Sequence, residues 1–137
     1  MTLRRRRPGL VYPVNEDWHY VGATDEPAFN STWANVSFLP KLAFRIRETG
    51  VVDIQGTVSG GTSTTVFTLP VGYRPSYDTG ANASGYMTGH GRVIALVTVL
   101  TTGVVAVVAN PDDTSDTYPG RVHFGAMQFY LHPPETA

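Results

Sequence analysis

The chain has 137 residues, no cysteine and a formal net charge of −1. It is long enough for one domain with its own core, and disulfides and cysteine-ligated metals are excluded. Charge is unevenly spread: Arg4, Arg5, Arg6 and Arg7 stand together at the start, leaving six basic against eleven acidic residues in the remainder. Fourteen Gly, ten Pro and abundant Thr and Val favour short strands joined by turns.

Residues 1–17 have no hydrophobic period and are interrupted by Pro8, Gly9 and Pro13, so they read as an extended basic arm. The rest of the chain, 18–137, reads as the folded domain. The arm's arginines suit an acidic partner. A protein is the better match than nucleic acid, because the remainder is acidic and shows no second basic stripe; a passive, solvated tail is the plain alternative. No stretch reads as a membrane span: 93–109 is interrupted by Thr98, Thr101, Thr102 and Gly103 and falls short of the roughly 20 residues required. The start lacks the apolar core of a secretion signal, and the Asn-x-Ser/Thr triplets at Asn30, Asn35 and Asn82 are therefore taken as chance.

Residues 18–36 are aromatic-rich and broken by Gly22 and Pro27. Trp18, Tyr20, Phe29 and Trp33 are expected to cover an open side of a sheet, in preference to forming a sugar-stacking platform. Next, Leu42, Phe44 and Ile46 alternate with Lys41, Ala43, Arg45 and Arg47, the pattern of a half-buried strand. A turn at Thr49-Gly50 leads into a second strand over 51–59. Its Val52, Ile54, Gly56 and Val58 share one face, and Asp53, Gln55 and Thr57 are expected on a wet face.

The stretch from Thr65 to Pro75 is the pivot of the chain. A β-prone run, Thr65-Val66-Phe67-Thr68-Leu69, stops at Pro70, turns at Gly72 and is stopped again by Pro75. Between the prolines, Tyr73 is expected to seal the core edge and Arg74 to pair with a carboxylate or carbonyl at a subunit boundary. Residues 76–91 read as a Gly/Ser/Asn-rich loop with room for a short strand near Gly85-Tyr86-Met87. A hairpin follows around Thr101-Thr102-Gly103, its strands apolar enough to be buried on both faces, by the opposing sheet or a neighbouring subunit. An acidic loop leads to a last strand over 122–131. Five to seven strands with no helical period predict an antiparallel, jelly-roll-like β-sandwich, and its generous apolar surface predicts a symmetric oligomer.

Chemistry is thinly represented. His19, His90, His123 and His132 are scattered, and no Gly-x-Ser-x-Gly surrounds a serine, so a non-enzymatic role is expected. Asp112, Asp113 and Asp116 crowd one loop without EF-hand spacing and read as a solvated turn. A zinc site formed by one histidine from each of three subunits is the weak remaining metal option. No metal ligand or cofactor site is assigned.

Several of these segments together resemble a known module. Trp33 after Asn30-Ser31-Thr32, the Phe44-Arg45-Ile46-Arg47 strand, Val51-Val52-Asp53-Ile54-Gln55-Gly56 and Leu69-Pro70-Val71-Gly72-Tyr73-Arg74-Pro75 resemble a β-sandwich of tailed-bacteriophage virions. That module occurs at tail-fibre tips, in minor tail and baseplate proteins, and in head fibres or capsid decoration proteins. The likeness covers roughly Trp33 to Leu131. It implies a homotrimer located in the virion, assembled in the host cytoplasm and bound to other virion proteins or to host surface glycans, without catalytic residues. The arm stands where fibre tips carry a long repetitive shaft. Seventeen extended residues reach about 55 Å, so a capsid decoration protein docking through Arg4, Arg5, Arg6 and Arg7 on the major capsid protein is the leading expectation. The alternative is a receptor-binding module with Trp18, Tyr20, Trp33, Tyr73, Tyr77 and Tyr86 as candidate glycan contacts.

Overall fold

The computed structural model describes residues 16–47, 49–87, 91–109, 121–125 and 127–131. Among these the chain is all-β, with two antiparallel sheets packed as a sandwich. The smaller sheet orders β1 (His19–Tyr20), β3 (Ala43–Ile46), β4 (Val51–Gln55) and β11 (Met127–Tyr130) as β1-β3-β4-β11. The larger holds β2 (Ala34–Asn35), β5 (Thr57–Ser59), β6 (Thr65–Thr68), β7 (Thr79–Met87), β8 (Gly91–Val99), β9 (Val104–Ala109) and β10 (Arg121–His123), ordered β2-β5-β10-β7-β8-β9-β6.

The core lies between the sheets. Leu42, Phe44, Val52 and Ile54 come from the small-sheet side, and Val58, Val66, Phe67, Val97, Val99, Val105 and Val107 from the large-sheet side, all with almost no exposure. Phe44 stacks on Phe67 across the sandwich at 5.9 Å between ring centroids. Such a pair adds packing energy beyond the area it buries.

Two long strands expected from the alternation are each divided between the sheets. The run over 51–59 breaks at Gly56, whose φ of +125° bends the chain so that β4 stays in the small sheet and β5 enters the large one. A Cβ at Gly56 would come within 2.5 Å of the Leu42 Cα, so only glycine fits. The run over 122–131 divides in the same way, with Gly125 at φ +64° separating β10 from β11. Part of the face expected to be wet is also buried. Asp53 and Thr57 are 8% and 4% exposed, Asp53 against Arg45 and Arg47 and Thr57 against His123.

The loop expected over 76–91 is largely strand. β7 pairs with β8 over nine positions, Thr79↔Val99 to Met87↔Gly91. Gly80, Ala81, Ala83, Ser84 and Gly85 carry too little side chain for a hydrophobic alternation, so composition conceals a strand that its partner specifies. Within the single chain, β8 is buried on one face. Ala95, Val97 and Val99 point into the core, whereas Arg92 and Ile94 are exposed on the outer face.

A clasp beneath the chain pivot

The pivot after β6 is stitched to three distant parts of the chain. The Tyr73 N–H donates to the Pro70 carbonyl at 3.1 Å, closing the turn, and Gly72 takes φ +101° within it. Arg74 turns inward, and its Nε–H donates to the Leu69 carbonyl at 2.9 Å. The Leu69 N–H in turn donates to the Gly103 carbonyl at 2.8 Å, which ties the corner to the β8–β9 turn. Gly103 must lack a side chain, since a Cβ there would lie 2.5 Å from the Leu69 carbonyl oxygen and 2.6 Å from Arg74 Nε. Asp78 Oδ1 accepts from the Thr101 N–H at 2.9 Å, and the Ser76 hydroxyl donates to the Leu131 carbonyl at the end of β11.

Tyr73 completes the set by reaching the segment that enters β1. Its hydroxyl donates to Glu16 Oε1. The other Glu16 oxygen, Oε2, accepts from the Ile46 N–H at 2.7 Å, at the end of β3. His19 lies between two carboxylates, Nε2 at 2.7 Å from Glu16 and Nδ1 at 2.9 Å from Glu26. With a carboxylate oxygen at each ring nitrogen, the protonated imidazole can donate to both. Its ring stacks on Phe44 at 5.2 Å, its cross-strand partner, and meets Tyr73 edge-on at 5.4 Å.

The electrostatics follow from these contacts. Burial alone would raise the Glu16 pKa, but hydrogen bonds from Tyr73, His19 and the Ile46 N–H, with the His19 charge, outweigh it and hold the carboxyl below its ordinary value. Burial would lower the His19 pKa, and its bonds to Glu16 and Glu26 outweigh that and raise it. The Tyr73 hydroxyl is raised, first by burial and then by the adjacent Glu16 carboxylate. Every clasp donor is therefore matched to an acceptor, which suits a tie more than a site awaiting substrate.

A pocket of about 460 Å³ adjoins the clasp, lined by Asp25, Glu26, Pro27, Leu69, Pro70 and Arg74 among others. It is open, with an aromatic floor at Phe44 and Tyr73. Among the described residues no group of three or more His, Asp or Glu could hold a metal ion, and no helix is long and apolar enough to cross a membrane.

The proposed glycan contacts are not brought together. Trp33 is 2% exposed and donates its Nε1–H to the Ser63 carbonyl at 2.8 Å. It is a core residue and cannot stack on a sugar, and Gly61 exists to admit it, since a Cβ there would fall 1.9 Å from the indole. Trp18 is half-buried with the Arg45 guanidinium over its ring at 4.3 Å. Tyr73 is spent on Glu16. Tyr77, Tyr86 and Tyr20 remain exposed, at 71%, 52% and 44%. Arg4, Arg5, Arg6 and Arg7, His90, His132 and the Asp112, Asp113 and Asp116 loop lie outside the described residues.

Sequence reading missed the clasp because its members come from four separate segments; the one usable signal was Tyr73, a polar-tipped ring fixed between two prolines. It also missed a basic row. Arg121 pairs with Tyr86, and Tyr86 with Arg92, so two arginines distant in sequence flank one exposed ring on the outer face of the large sheet. No family model, curated protein or solved structure matches the chain.

Proposed function

We propose that the chain is a bacteriophage virion structural protein. In this reading it is a capsid decoration protein whose homotrimeric body sits on the shell and whose basic N-terminal segment docks on the major capsid protein. The supporting observation is the clasp at Glu16. The chain leaves the arginine-bearing segment and is bound at once to β3 through Ile46, to β1 through His19 and to the pivot through Tyr73. A tether is useful only if its root is fixed to a rigid body, and this root is fixed from three directions. The pivot residues that distinguish the virion module are engaged in internal bonds, which suits a scaffold without catalytic duty. Mass spectrometry and particle reconstruction of purified virions test the proposal. Tens to hundreds of copies on the shell are expected, and a few copies at the tail tip would sink it.

Exposure of Tyr77 and Tyr86 supports a second reading, a tail-fibre or baseplate module that binds host glycan. Binding on a glycan array that is lost in Tyr77→Ala or Tyr86→Ala would favour it over the first.

A further inference from the structure

Among the described residues several charged side chains have no ion-pair partner; Arg74 is bonded to the Leu69 carbonyl and Asp78 to the Thr101 N–H, and, Lys41 aside, the others fall into two patches. Arg92 and Arg121 flank Tyr86 on the outer face of the large sheet, and no carboxylate among the described residues pairs with either. Phe38, 75% exposed, lies 6.0 Å from the Arg121 guanidinium, and Ile94, 62% exposed, extends the patch along β8. Arginine with exposed aromatic and aliphatic surface is the composition of an interface core. Four of the six described acidic residues, Glu16, Asp17, Asp25 and Glu26, instead flank β1 in the chain, with Glu16 and Glu26 meeting at His19 and Asp25 beside Glu26 in the pocket wall. Glu16 and Glu26 are committed to His19, whereas Asp17 and Asp25 are exposed and without an ion-pair partner among the described residues. The acidic residues adjoin the pocket, whose wall carries Pro27, Leu69 and Pro70 beside His19 and Arg74, a concave counterpart for a projecting ring such as Phe38. Lys41, exposed before β3, lines a separate surface depression with Tyr20, Leu39, Pro40 and Gln55.

We propose that these two patches are the two halves of one contact between copies of this chain. The Arg92–Tyr86–Arg121 row of one protomer seats on the Asp17 and Asp25 pole of the next. Pairing the basic row with itself would set guanidinium against guanidinium, so a two-fold contact through this face is disfavoured and a head-to-tail contact favoured. A head-to-tail contact closes into a ring when its rotation permits. This rests on the homo-oligomeric part of the reading above and identifies the surfaces that would build it.

Sedimentation equilibrium of the full chain tests the contact, with thermal melts confirming that each variant is folded. The wild type should associate, and association should weaken as salt rises. R92E/R121E and D17R/D25R should each raise the dissociation constant by about 100-fold or more. The fourfold variant carrying all these reversals should associate again, because the complementarity is restored with exchanged signs. A wild type that stays monomeric at every concentration overturns the oligomer itself. A wild-type oligomer indifferent to the reversals, or one disrupted by both but not restored by their combination, overturns this contact and leaves the oligomer standing.

Discussion

Glu16, His19 and Tyr73 show how a few polar groups can fix a chain entry without a strand of any length. β1 has only two residues, too few for ladder bonds alone to hold it. Tyr73→Phe removes one donor to a partly buried carboxylate and should cost about 1–2 kcal/mol in urea unfolding. The pH dependence has two limbs. The His19 pKa is raised above 6.5, so its contribution is complete below that value and is lost as pH rises through the folded pKa. The Glu16 pKa is lowered below 4.5, so its contribution is complete above that value and is lost as pH falls through the folded pKa. The clasp should therefore be strongest between about pH 4.5 and 6.5. Thermal melts across pH should show the alkaline decline flatten in His19→Gln; an unchanged slope would mean that His19 is not held as a cation.

At the scale of elements, the glycines at sheet crossings and close approaches decide more than the strands they separate. Gly56→Ala places a methyl against the Leu42 backbone at a positive φ. Because the obstacle is backbone, the clash has no easy relief. A loss of more than about 3 kcal/mol, or failure to fold, is expected in denaturant titration. Gly72→Ala meets no atom within 4 Å. Its cost should be confined to backbone strain, about 1 kcal/mol, and a loss as large as that of Gly56→Ala would show the pivot to be tighter than its geometry implies. The half-buried β3 strand was legible because Phe44 and Ile46 alternate with charged neighbours. β7 was not, because a strand of Gly, Ala, Ser and Asn carries no hydrophobic period and is defined by its pairing with β8.

For the whole molecule, the proposed attachment and the proposed assembly make separate predictions. Replacing Arg4, Arg5, Arg6 and Arg7 with alanine should weaken binding to purified shells about tenfold or more and flatten its salt dependence, while leaving the mass of the isolated protein unchanged. Co-sedimentation with shells lacking the protein measures the first and sedimentation equilibrium the second; unaltered binding would remove the arm from the attachment. By itself the sequence determined an all-β chain, its turns, the pivot between Pro70 and Pro75 and the segregation of basic charge at the start. Those properties follow from local propensity and short-range alternation. Only the tertiary structure decided that two apparent strands each serve both sheets, that Trp33 is core, that Glu16 meets His19 and Tyr73, and that Arg92 and Arg121 flank one ring. Each of these depends on which strands become neighbours, and that pairing is set by burial across the whole sandwich, beyond the range of any local pattern.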